Sequence, residues 1–306
     1  MSFFEQERAL FDLLFDAQLR EDFIKNPSTA LAEYKLSAEE LADFAVINPH
    51  ALALDAKVRV ELILGQWCRS FPLTFSLLSS LPDGLLLLRR LVDSETMRHA
   101  PIERVVVFAT RLRQALIAEP AVALDELSLI VAILDAELGM ATTSESLKKT
   151  ILKGQYVESK PIPLTDAWLT QPVTLASYVS AAIIPLSYSV LKKALCPCLG
   201  AELWRYVNKT QWLAADRQRL WQQADTRLLV AKAKVSTVSD SDPTIDHISL
   251  ELAEGFASLF EYVNGTMSVQ QILQQLQQIG APASLVQSIK QGFQQLYAAE
   301  MIIVLP

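Results

Sequence analysis

Residues 245–306 constrain this chain more than any other stretch, because they switch between strand and helix periodicity within a short span. Ile248, Leu250 and Leu252 alternate with His247, Ser249 and Glu251, the period-two pattern of a half-buried strand. Glu254–Val263 follows as a short helix, closed by Asn264-Gly265-Thr266, which reads as a turn. Ser268 with Gln271 forms a capping box. It opens a helix whose Val269, Ile272, Leu273, Leu276 and Ile279 make one apolar stripe. Gly280 ends that helix and Pro282 starts the next, the usual asymmetry of helix termini. In this last helix Leu285, Val286, Ile289, Phe293 and Leu296 are spaced for a core, and the apolar tail Met301–Leu305 closes the chain. Upstream, Arg227–Val235 is extended and Ser236–Thr244 is a turn or loop, so the two strands predict a hairpin. A hairpin with three short helices is a small winged-helix pattern, a shape suited to recognition.

The rest of the chain has a different texture. Residues 3–152 read as consecutive helices, with Phe4, Leu10, Phe11, Leu14, Phe15 and Leu19 at helical spacing. Asn26-Pro27 and Asn48-Pro49 restart helices, since Asn caps well and Pro fits the first turn. Ser37 with Glu40 is a second capping box. Pro72, Pro82-Asp83-Gly84 and Pro101 punctuate the next helices, and 103–117 and 124–138 look like the last pair. From Lys153 to Thr174, Gly154, Pro161, Pro163 and Pro172 fall among polar residues, as in a linker or crossing segment. Ala176–Leu195 is apolar but broken by Pro185, and leads through Cys196-Pro197-Cys198 to a polar helix from about Ala201 to Asp225 carrying Trp204, Trp212 and Trp221. The expected fold is mainly α with a small α+β domain. A helical bundle over 1–152 precedes a linker with extra helices over 153–225 and a winged-helix domain over 226–306.

Charge narrows the function. The 306-residue chain carries a net charge of -7, which disfavours a general polyanion binder, because that affinity rests on Lys and Arg neutralising phosphates. Within 231–306 three lysines face seven carboxylates, a net of -4, and the final helix has the single cation Lys290. DNA reading by the last helix of a winged helix is therefore disfavoured, although a transcription regulator stands as the alternative function. Met1-Ser2-Phe3-Phe4-Glu5 has neither a basic start nor an apolar signal core. Apolar runs such as Leu85–Leu88 and Leu129–Leu134 are short against a spanning helix, so no membrane partner is expected. Three cysteines make no disulfide framework, and the cytoplasm is the expected location.

Catalytic patterns are missing. Cys196 and Cys198 are too closely spaced for a structural zinc site, and Cys68, His50, His99 and His247 are scattered. No nucleophile elbow, phosphate loop or His-Glu-x-x-His occurs. The chain reads as a non-enzyme with no cofactor or metal of its own; an enzyme using Cys196 or Cys198 is a third reading. Arg89, Arg90, Arg98, Arg104, Arg111 and Arg113 enrich the middle of the helical half. They are either a face for an acidic partner or a solvated helix surface. The C-terminal pattern suits another use of a small sheet: an extended peptide can pair with its exposed edge.

Ile248-Ser249-Leu250, the helix Gly255–Val263, Asn264-Gly265-Thr266, Ser268–Ile272, Val286–Leu296 and Met301-Ile302-Ile303 resemble the PqqD-like precursor-recognition domain of ribosomal peptide modification. In the N-terminal half, Leu19–Pro27, Ala30–Glu40 and the corner Ser70-Phe71-Pro72-Leu73-Thr74 resemble the partner proteins of multinuclear non-heme iron-dependent oxidases, the TglI/MbnC-like group. The resemblance implies that the iron belongs to a separate oxidase. The partner would grip a precursor peptide's leader and present a core residue, commonly cysteine. Carried onto this sequence, the leader would pair near Asp246, Ile248 and Leu250 and rest on Gln287, Lys290 and Gln294. The helical half, 1–152, would dock the oxidase, with Arg104 and Arg111 as docking charges.

Overall fold

The computed structural model describes residues 3–118, 124–157, 167–209, 225–237 and 243–305. The second half of the expected polar helix with Trp212 and Trp221, the linker prolines Pro161 and Pro163, and the loop carrying Asp240 and Asp242 lie outside them. The described chain is mainly helical with a smaller sheet portion, as expected, and divides into two units. The division does not follow the expected boundaries. Residues 196–209 fold with the first unit, and 124–157 with the second.

The first unit comprises α1 (Phe3–Phe15), α2 (Ala17–Lys25), α3 (Pro27–Ala30), α4 (Ala38–Ala45), α5 (Pro49–Trp67), α6 (Pro72–Leu78), α7 (Gly84–Arg90), α8 (Ser94–Met97) and α9 (Arg104–Ala118). Several of its starts are those marked in the sequence, while the caps Asp16 of α2 and Asp93 of α8 are not among them. Asn26 accepts from the Thr29 N–H, Ser37 and Glu40 cap each other reciprocally, and Asn48 accepts from the His50 and Ala51 amides. Residues 196–209 return to this unit because α13 (Gly200–Val207) is amphipathic: Leu203, Trp204 and Val207 are buried. Gly65 of α5 leaves room for Ala201, and the Trp204 indole donates to Glu61 Oε2 at 2.9 Å while meeting Phe75 edge-on.

The second unit is built on two antiparallel three-stranded sheets. It contains α10 (Leu124–Leu152), α11 (Ala167–Thr170), β1 (Pro172–Leu175), β2 (Val179–Ile184), α12 (Tyr188–Leu195), β3 (Arg227–Thr237) and β4 (Thr244–Ala253). A 3₁₀ turn (Glu254–Phe256) leads to α14 (Ala257–Phe260), β5 (Asn264–Ser268), α15 (Val269–Gln278), α16 (Ala283–Ala298) and β6 (Ile302–Val304). The first sheet has the order β5-β1-β6 and the second β2-β3-β4. Three expectations change here. Pro172–Leu175 is the middle strand of a sheet, not linker; Val179–Ile184 is a strand paired with β3, not linker or extra helix; and Asn264-Gly265-Thr266 begins a strand rather than forming only a turn.

The β2-β3-β4 sheet is covered on both faces, which explains why the middle strand runs Leu228-Leu229-Val230-Ala231 without alternation, all buried. Leu228, Val230 and Leu252 look into a core shared with Phe256, Ile272, Ile289 and Phe293. On the opposite face lies α10, where Gly139 allows the helix to approach Ser180 of β2. Leu129, Ile130, Ile133, Leu134 and Met140 are buried. Contrary to the sequence expectation, one stretch of α10, Glu126–Leu152, is long and apolar enough to cross a membrane by length and composition. Of its most apolar window 44% is buried within the unit.

Candidate functional site

The strand β4 lies at the edge of its sheet, paired on one side with β3. Which of its backbone groups face outward follows from hydrogen-bond parity. In an antiparallel ladder a residue directs both its N–H and its C=O to the same neighbour, and consecutive residues alternate. The Ala233 N–H donates to the Tyr178 carbonyl at 2.9 Å, on the β2 side, so Ala233, Ala231 and Leu229 serve β2. Lys234, Lys232 and Val230 therefore serve β4, and their register partners are Asp246, Ile248 and Leu250. The remaining residues of β4, His247, Ser249 and Glu251, turn their N–H and C=O groups outward. Among the described residues none of these groups has a backbone partner.

This reassigns the strand half of the expected site. Asp246, Ile248 and Leu250 use their own backbone groups on β3; the main-chain donors and acceptors open to a guest belong to the three residues between them. Side chains follow the same alternation. Ile248 is 41% exposed and Leu250 packs partly against the core on the α16 side. His247 and Glu251 point to the α10 and α12 side, where Glu251 Oε1 accepts the Ser189 N–H at 2.8 Å. On α16, Gln287 and Gln294 are exposed and Lys290 is half-buried. The two elements share a core through Leu252, Phe256 and Phe293, the rings of Phe256 and Phe293 lying 4.8 Å apart. Among the described residues no hydrogen bond joins the three strand residues to the three helix residues.

The arginines of the helical unit are largely used inside it. Arg111 forks onto Asp93 at 2.5 and 2.8 Å, donates to Thr96 Oγ1 at 2.5 Å, and pairs with Glu95 at 2.9 Å. Burial pushes the Asp93 carboxyl up, but the bonds from Arg111 and Thr96 outweigh it and hold it below the usual range. Arg98 grips the buried Asp12, and Arg89 bonds Glu61 and Asn208. Arg111 thus braces α8 against α9. Arg104 is bonded through Nε to the His99 carbonyl at 2.9 Å in an exposed setting. Cys196 and Cys198 are half-buried and outside any disulfide, Cys196 Sγ lying 3.7 Å from Ser76 Oγ. Among the described residues no group of three or more His, Cys, Asp or Glu side chains is placed to hold a metal ion.

His247 ties the candidate edge to α10. Its Nε2 lies 3.0 Å from the Met140 carbonyl, which can only accept, so Nε2 carries the hydrogen; Ser144 Oγ is 3.2 Å away. Burial lowers the imidazole pKa, with nearby Lys192 adding to the effect, while the Met140 bond and Asp246 oppose it. With a folded value below the unfolded one, the unfolded chain takes up the proton first. Stability of the second unit is expected to fall as pH drops below about 6.5, the ordinary imidazole value, and to level off once the folded ring is protonated. Urea titrations between pH 8 and 5 check this. His247→Gln should remove that part of the slope, and an unchanged slope would refute the assignment.

No family model, curated protein or solved structure matches this chain.

Proposed function

We propose that this chain is a non-catalytic adaptor. Its C-terminal part, read as a winged-helix, PqqD-like recognition domain, binds the leader of a ribosomally made precursor peptide by strand addition to β4. Its helical unit docks an iron-dependent oxidase, which holds the metal and modifies a core residue such as cysteine. The observation that carries the peptide half is the row of outward backbone groups on His247, Ser249 and Glu251. An edge of this kind is a template for another chain unless it is covered or blunted. An incoming strand would satisfy these groups with loose sequence demands, as a device reading varied leaders requires. The oxidase half is supported by the resemblance of 19–40 and 70–74 to oxidase partner proteins.

A random twelve-residue peptide library displayed on phage, panned against the full chain, should enrich binders. Hydrogen exchange of the complex should then protect the amides of His247, Ser249 and Glu251, while Ile248 and Leu250, already bonded to β3, change little. Enriched peptides that protect amides elsewhere would end the strand-addition reading. Co-expression with an iron-dependent oxidase and a short Cys-bearing peptide encoded beside it should give a three-part complex; elution of the chain alone would count against the adaptor role.

A further inference from the structure

Backbone pairing by itself leaves the proposed edge short of affinity. Three residues offer six groups, each worth about 1 kcal/mol net. Association costs about 4–15 kcal/mol, so a side-chain anchor is required. A cavity of about 510 Å³ opens beside β4, where α12 begins and β3 and β4 meet. Its α12 wall lies on the face opposite α16, and of the six residues carried over from the resemblance only Leu250 lines it.

The apolar part of its lining is Leu186, Val190, Leu191 and Leu250, with Val190 51% exposed at the rim, and serines and charged residues make up the rest. The charged side chains around it, and Ser187, already have partners. Asp225 pairs with Arg227, Glu251 accepts the Ser189 N–H, and Ser187 Oγ accepts the Val190 N–H at 3.3 Å. A charged guest would meet no free counter-charge and would lose its hydration, whereas an apolar guest would lose only contact with water. Register fixes which guest residue arrives there. Residues directly opposed across a ladder share a face. Ser249 and Glu251 both line the cavity, so a peptide residue paired with either directs its side chain to that side.

We infer that this cavity is the anchoring pocket for a large apolar side chain, leucine or phenylalanine in class, on the residue of the added strand that pairs with Ser249 or Glu251. The inference rests on the strand-addition reading above. It predicts a periodic requirement in the bound peptide: one apolar anchor towards α12, and its two sequence neighbours facing α16.

Fluorescein-labelled ten-residue peptides with a Thr-rich, strand-forming host and one guest position test it against the full chain. Leu and Phe guests should bind about 10- to 100-fold more tightly than Gly, from the burial of one such side chain. Lys and Glu guests should do no better than Gly. Val190→Asp should erase the preference and leave the Gly-guest peptide unaffected; an acidic residue in the first turn of α12 suits the helix, so the fold should be kept. Equal binding of Leu and Gly guests, or a preference that survives Val190→Asp, overturns the pocket while strand addition stands. If no host peptide binds the native chain, strand addition falls and the pocket with it.

Discussion

Gly84→Ala should destabilise the helical unit by about 3 kcal/mol, the reverse of what this substitution ordinarily does within a helix. Alanine usually gains about 0.5–1 kcal/mol over glycine there, because glycine loses more backbone freedom on folding. At Gly84 space decides instead. An added Cβ would stand 2.0 Å from the Leu78 carbonyl oxygen and 2.9 Å from its carbon. Those are backbone atoms, so no side-chain rotation relieves the clash. Leu78 ends α6, all seven residues of which are buried, and it cannot retreat without disturbing that packing. Nor can the turn yield easily, since Asp83 already sits in the left-handed region at φ 59°. Overpacking costs about 1–3 kcal/mol and more where backbone must move, which places this variant at the upper end. Urea midpoints check it. Gly255→Ala, where nothing lies within 4 Å of the new methyl, is the control and should stay within about 0.5 kcal/mol of the native chain. A Gly84→Ala protein with the native midpoint would show that α6 and α7 do not approach as described.

Local signals were the ones the sequence displayed well. The caps at Asn26, Ser37, Asn48 and Ser268 all form, because a cap closes a hydrogen bond within three residues and carries its partner beside it. The helix break at Gly280, with φ 80°, is equally local. What was hidden depends on residues far apart. Pro172–Leu175 becomes a strand only because residues 264–268 and 302–304 arrive on either side, and four residues are too few to show a period. The long run of α10 was legible as helix but not its allegiance, which Gly139 and Ser180 settle across an interval of sequence with no pattern linking them. Arginine enrichment suggested an open face, yet the carboxylates that take up Arg98 and Arg111, Asp12 and Asp93, are unremarkable in sequence. The candidate edge is the sharpest case. Alternation along residues 247–252 gave the two side-chain faces, but not which residues turn their amides outward. That parity is fixed by the side on which β3 lies, and the Ala233–Tyr178 bond is what reveals it.

Parity makes two adjacent proline substitutions behave oppositely. Leu250 donates its N–H to the Val230 carbonyl and accepts from the Val230 N–H, and Val230 is fully buried. Leu250→Pro removes that donor, leaves a buried carbonyl without its partner at about 1–3 kcal/mol, and strips a side chain from the core. Destabilisation of the second unit by about 3 kcal/mol or more is expected, with loss of peptide binding as a consequence of unfolding. Ser249 sits one residue earlier, with an exposed side chain and an outward N–H. Ser249→Pro takes nothing from the ladder to β3, and prolines are tolerated on strand edges when the missing donor faces solvent. Its stability should remain within about 1 kcal/mol of native. Capture of the display-selected peptide should nevertheless fall tenfold or more, since one main-chain bond is lost and the ring stands where the guest strand must lie. Urea unfolding and fluorescence anisotropy on the same two proteins separate the effects. Equal destabilisation by both prolines would mean the parity of β4 is wrong; a stable Ser249→Pro protein that still binds at native strength would mean that the guest, if there is one, is held somewhere else.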